Sequence, residues 1–205
     1  QFFFYHFYHA FAWTYDFVAA AVSLGRWNDW VLTALPHLHG PRVLEIGFGP
    51  GHLQVELRQK GLLAYGLDES RQMGQLALER ARRFRFPATL SRGYAQSLPF
   101  GADCFDDVVA TFPAEYIFDP QTVAEVHRVL KPGGRFVVVP MAWVHGNGFW
   151  DRLTAWLFHL TNQSVELSET AESQIRAHFT ETGFRVNLLQ AEAQRSQVLV
   201  IVAEK

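Results

Sequence analysis

From residue 42 onward, short apolar runs alternate with stretches of helical period, which predicts a parallel sheet covered by helices on both faces. Strands are expected at residues 42–46, 63–67, 88–92, 106–111, 135–139, 184–190 and 196–203, with helices at 54–60, 70–83, 120–130 and 173–182. The run Lys131-Pro132-Gly133-Gly134 ends the third helix, since proline cannot continue it and glycine is free to turn. A short turn at residues 192–195 joins the last two strands. They must be antiparallel, because a short turn cannot link parallel neighbours. The expected fold class is therefore α/β, a doubly wound seven-stranded sheet whose last strand is antiparallel.

The first forty residues stand outside this alternation and read as a helical cap on a main domain at 41–205. Residues 2–24 carry no Lys or Arg and are long enough to raise the question of a membrane span, but Asp16, His6 and His9 argue against one. No basic segment precedes them, as a secretory signal would require. A second apolar stretch holds Trp143, Phe149, Trp150, Trp156 and Phe158 and is apolar on nearly every side from Phe149 onward. A helix of that kind must bury itself in something. A substrate lid over 141–170 is expected, with plain core or a membrane interface as the alternatives.

Composition narrows the partners. At 205 residues the chain suits one domain with a continuous core. A formal net charge of -2 gives no general attraction to phosphate backbones, so no nucleic-acid partner is expected. The cations Arg80, Arg82, Arg83 and Arg85 read as the solvated end of a helix. Cys104 is the single cysteine, which excludes a disulfide framework and a cysteine metal cluster and fits a reducing, cytoplasmic location. The 9 His show no tight ligand spacing, so no metal is expected.

The most constraining stretch is Val43-Leu-Glu-Ile-Gly-Phe-Gly-Pro-Gly51, an apolar strand running into three alternating glycines and then a helix. Such a turn lets backbone amides approach a ligand closely. The dinucleotide fingerprint would need a third glycine at position 52, which is His52. The spacing Glu-x-Gly-x-Gly-x-Gly instead resembles the binding loop of class I S-adenosylmethionine-dependent methyltransferases. Three later segments extend the likeness in order: Asp68 at the end of the second strand, Gly93-Tyr94-Ala95-Gln96-Ser97-Leu98-Pro99-Phe100, and the run from Glu125 to Phe136. Upstream, Tyr15-Asp16, Ser23-Leu24-Gly25 and Trp30 resemble the signature of the ubiquinone and menaquinone biosynthesis C-methyltransferases, the methyltransferase type 11 group. Departures from that signature are Ala19 for asparagine, Trp27 for histidine and Pro140-Met141-Ala142 at the strand-five ending.

The resemblance implies a Rossmann-like fold and S-adenosyl-L-methionine as cofactor. By it, Gly47, Gly49 and Gly51 cradle the amino-acid end with Glu45 beside them, and Asp68, with Glu69 next to it, holds both ribose hydroxyls. Met73 lines the adenine or packs in the core, and Thr111 ends the fourth strand where the methyl group departs. The aspartate that usually takes the adenine amino group is Tyr94 here, leaving stacking or backbone contacts from Ala95 to replace it. Methyl transfer needs the acceptor held in line and, for a phenol or amine, a nearby base. Glu115, Tyr116, His145 and Tyr15 are the candidates. The aromatic cap and lid point to a small, apolar, quinone-like or lipid-like acceptor and to peripheral membrane contact. Two other readings are a cofactor-binding module without activity and, from another class, a nucleotide-dependent oxidoreductase. Nothing in the residues sets the oligomeric state.

Overall fold

The computed structural model describes residues 27–144, 169–194 and 196–205, with side chains left aside at 144 and 169–171. Seven strands form one sheet: β1 Arg42–Ile46, β2 Leu63–Asp68, β3 Leu90–Arg92, β4 Phe105–Thr111, β5 Leu130–Val144, β6 Arg185–Ala193 and β7 Ser196–Glu204. Their order is β3-β2-β1-β4-β5-β7-β6, parallel except for β7, which runs antiparallel to both β5 and β6. The helices among the described residues are α1 Trp27–Leu32, α2 His52–Gln59, α3 Arg71–Arg83, α4 Pro120–Val129 and α5 Glu169–Thr180.

Strand period decides which side chain joins which core. Along β4, Val108 and Ala110 enter the layer with Val123 and Val126 of α4 and Phe179 of α5, whereas Val109 enters the layer with Leu53 and Leu57 of α2 and Trp30 and Val31 of α1. Strand β7 does the same, with Leu199 and Ile201 on the first face and Val198 and Val200 on the second. Both faces are thus buried, as a parallel sheet requires.

Helix α5 begins at Glu169 rather than 173 and β6 runs on to Ala193 rather than 190, and both ends of β5 differ from expectation. Strand β5 is longer than 135–139 at both ends. It begins at Leu130, which pairs with Phe105, while Arg135 pairs with Asp107, so the Lys131–Gly134 segment bulges rather than closing the helix alone. Lys131 Nζ donates to Asp106 Oδ1 at 2.6 Å across that bulge. A Cβ at Gly134 would lie 2.7 Å from the Asp106 carbonyl, so the bulge closes only around glycine. At its far end β5 continues to Val144 because β7 keeps pairing with it, past an irregularity that accommodates Pro140, which has no N–H to give. The first residues of the expected lid, 141–144, are therefore strand. Residues 169–170 at its far end open α5, while 145–168 lie outside the described residues, as do residues 1–26 of the expected cap and the candidates Tyr15 and His145. The cation-rich end of α3 follows the sequence, with Arg80, Arg82 and Arg83 in its last turn.

Candidate active site

The order of strands reverses between β1 and β4, and in an open α/β sheet ligands bind beyond the strand ends at that point. A cavity of about 310 Å³ opens there. Its walls come from Ile46 and Gly47 after β1, Leu67, Asp68 and Glu69 at the end of β2, the loop Gly93 to Gln96 after β3, and Tyr116.

The three glycines of the loop do different work. A Cβ at Gly47 would stand 2.5 Å from Tyr116 Oη, and its φ of +70° is one that side chains rarely adopt, so glycine is what brings the tyrosine down onto the loop. Gly49 faces open space, and its backbone N–H donates to Asp68 Oδ2 at 2.9 Å. Gly51 caps α2 in the left-handed conformation and packs on α3, where an added Cβ would lie 2.9 Å from Ala77 Cβ. It does not line the cavity.

Asp68 is half-buried and held on both oxygens, with Ser70 N–H donating to Oδ1 at 2.8 Å and Gly49 N–H to Oδ2. Burial raises its pKa against those two hydrogen bonds, and Glu69 raises it further. Each oxygen keeps a second lone pair, so the carboxylate fits a pair of vicinal hydroxyl donors. Glu45 is buried at the end of β1, with Gln54 donating to its Oε2 at 2.8 Å and to the Tyr65 carbonyl at 3.1 Å. Burial pushes its pKa up to about 8, opposed by the Gln54 hydrogen bond and helped by the Asp68 charge. The group therefore keeps its proton at neutral pH.

Other expected site residues separate. Ala95 is buried in the cavity wall, Tyr94 lies at its edge and is 65% exposed, and exposed Glu69 lines it. Met73 is buried and is not part of the wall; its N–H donates to Ser70 Oγ at 3.3 Å in the cap of α3. Thr111 lines a neighbouring recess of about 30 Å³ together with Glu45, Gly49, His52 and Trp27. Glu115 begins the short 3₁₀ turn Glu115–Phe118 and is exposed, whereas Tyr116 in that turn reaches the cavity.

Four contributors escaped sequence reasoning. Gln54 is a buried polar residue on the apolar side of α2, and Gln96 sits two residues past Tyr94 in the same loop. Trp27 and Phe112 stack with centroids 4.3 Å apart beside the recess, and Phe112 adopts φ +47° directly after β4. The only sequence signal for the last pair was Trp27 standing where histidine was expected. Among the described residues no group of acidic, histidine and cysteine side chains could hold a metal ion, and no helix is long and apolar enough to cross a membrane.

A family model described as a methyltransferase domain matches residues 44–138. Over 207 aligned residues the chain is 30% identical to an uncharacterized methyltransferase of Synechocystis sp., covering 92% of this chain and 95% of that one. The chain belongs to the class I S-adenosylmethionine-dependent methyltransferases. This methyltransferase is also 28% identical to a ubiquinone/menaquinone biosynthesis C-methyltransferase of Geotalea uraniireducens over 61% of its own length, a match that spans only 57% of that relative. In fold it is similar to a putative S-adenosyl-L-methionine-dependent methyltransferase of Methanococcus maripaludis, with a TM-score of 0.67 at 16% identity over 93% of this chain and 90% of the other. Its cofactor is S-adenosyl-L-methionine, and the doubly held Asp68 carboxylate facing the cavity fits the ribose of that group.

Proposed function

We propose that this methyltransferase modifies a small apolar acceptor of quinone-like or lipid-like character, seated against the β4 side of the cleft. The observation that carries the reading is the aromatic wall of Trp27 and Phe112, backed by the buried ring of Trp30 with a centroid 5.9 Å from Phe112. It stands beside the recess that Thr111 and Gly49 share, immediately across the glycine loop from the cavity. Flat apolar acceptors gain from such a surface, since aromatic pairs add roughly 0.5–1.5 kcal/mol beyond the area they bury. The left-handed backbone at Phe112 is the kind of local strain that persists where surrounding structure imposes it for a purpose. The quinone methyltransferase of Geotalea uraniireducens, by its name, acts on an acceptor of this class.

When bound, the cofactor supplies an electrophilic methyl group on a sulfonium. Glu45, Gly47, Gly49 and Asp68 would hold and orient it, with Thr111 at the end of β4 near the methyl group and Tyr94 and Ala95 available to its base. Tyr116, over Gly47, orients the acceptor's hydroxyl, and exposed Glu115 beside it passes the released proton to solvent. Positioning of this kind accounts for most of the expected acceleration. The test is transfer of labelled methyl to a reduced, prenylated naphthoquinone in detergent. Label recovered in the extracted quinone supports the reading. Transfer only to water-soluble amines or carboxylates would overturn it.

A further inference from the structure

The cavity is lined in sequence by the ends of β1, β2 and β3, which are adjacent in the sheet. A cofactor whose amino-acid end lies at Gly47 and whose ribose lies at Asp68 must extend its base toward the remaining wall, the loop Gly93 to Gln96. That wall has no carboxylate at position 94. Tyr94, 65% exposed, offers a ring face there, which can cover a base but cannot tell one purine from another. Gly93 keeps the floor low, since a Cβ there would already press on Leu67 Cδ1 at 3.2 Å.

Gln96 is half-buried in the same wall, and its Nε2 donates to Asp119 Oδ2 at 3.3 Å. Asp119 is fixed in turn as the cap of α4, its Oδ1 accepting from Gln121 N–H at 2.9 Å. An ionised carboxylate accepts only, so it selects the amide orientation that turns Nε2 toward α4 and leaves Oε1 on the other side of the amide as a pure acceptor. An acceptor suits the exocyclic amino group of adenine and opposes the oxo group that replaces it in hypoxanthine. Glutamine that reads adenine in nucleic acids likewise sets its Oε1 against the amino group, there with Nε2 on the ring as well.

We infer that Gln96, oriented by Asp119, reads the adenine amino group in this chain, while Tyr94 only covers the ring. The inference rests on the cofactor assignment and not on the identity of the acceptor.

Calorimetric titration of the whole chain with S-adenosylhomocysteine and with S-inosylhomocysteine, its 6-oxo counterpart, tests it. The wild type binds the adenosyl form at least about ten-fold tighter, the discrimination expected of one well-placed polar contact. Gln96→Met brings the two within about two-fold. Tyr94→Ala weakens both alike and keeps their ratio. Asp119→Asn retains a good helix cap but frees the amide to turn, so the ratio falls with Gln96 intact. A wild-type ratio preserved in Gln96→Met, or a wild type indifferent to the two ligands, overturns the assignment of Gln96. An unchanged ratio in Asp119→Asn overturns the orienting role. Failure of the wild type to bind either ligand would instead overturn the cofactor assignment beneath it.

Discussion

On the β1–β3 side of the cleft the wall joins the glycine loop and the Asp68 carboxylate, held by two backbone N–H groups, to Leu67, Tyr94, Gln96 and Tyr116. On the β4 side the recess is lined by Thr111, His52, Glu45 and Trp27, whose ring stacks on Phe112. On the proposed reading the first wall orients the polar cofactor and the second receives the apolar acceptor. On that reading one cleft binds a polar cofactor on one side and an apolar acceptor on the other. Substitutions on the two sides should separate cleanly in binding measurements.

The largest separation is expected at Asp68. Asp68→Ala removes two charge-assisted hydrogen-bond acceptors, each worth about 1.5–3 kcal/mol, and should weaken S-adenosylhomocysteine at least 100-fold by calorimetry. Unchanged affinity would dissolve the distinction between the walls. Next come the glycines. Gly51→Ala drives a methyl into the α3 backbone and should cost about 2–3 kcal/mol in urea unfolding, whereas Gly49→Ala, which faces open space, should cost only about 1–2 kcal/mol from its backbone conformation. Equal costs would show that crowding at Ala77 is relieved by movement of α3.

Glu45 provides a test by pH. Its carboxyl rises from an ordinary 4.5 to about 8 in the folded chain, so between those values the native state holds a proton that the unfolded state has lost. Stability then falls as pH rises through that window, by roughly 3 kcal/mol between pH 4.5 and 7 for this group alone. Glu45→Gln, which still accepts from Gln54, should flatten that slope and melt higher than wild type at pH 8, while the two converge near pH 4.5. A parallel pair of melting curves across the range would contradict the buried, protonated state. The smallest effect is expected on the other wall, where Trp27→Ala should raise the acceptor KM several-fold with the cofactor Kd unchanged. A matching loss of cofactor affinity would mean that the aromatic pair supports the loop rather than the acceptor.

How far the sequence spoke follows the same division. The cofactor wall is made by local chemistry, and Val43 to Gly51 and Asp68 announce it because backbone conformation and a strand-end carboxylate leave marks at fixed spacing. The strands were equally legible as short apolar runs, and in the structure period 2 sorts Val108 from Val109. What escaped were contacts between segments far apart in the chain. The Trp27–Phe112 stack joins residues 85 positions apart and has no local signature. Gln96 was hidden because its role depends on Asp119, 23 residues on. The true start of β5 was hidden because Lys131-Pro-Gly-Gly134 reads as a helix stop, and only the pairing of Leu130 with Phe105 turns it into a bulge.

The most direct measurement is transfer of labelled methyl from S-adenosylmethionine to a reduced, prenylated naphthoquinone, made in parallel on wild type, Asp68→Ala and Trp27→Ala, with cofactor Kd determined on each. The two-wall account predicts label in the organic phase for wild type, lost cofactor binding in Asp68→Ala, and lowered kcat/KM at unchanged cofactor Kd in Trp27→Ala. Label confined to water-soluble acceptors, or a Trp27→Ala enzyme as efficient as wild type on the quinone, would contradict it.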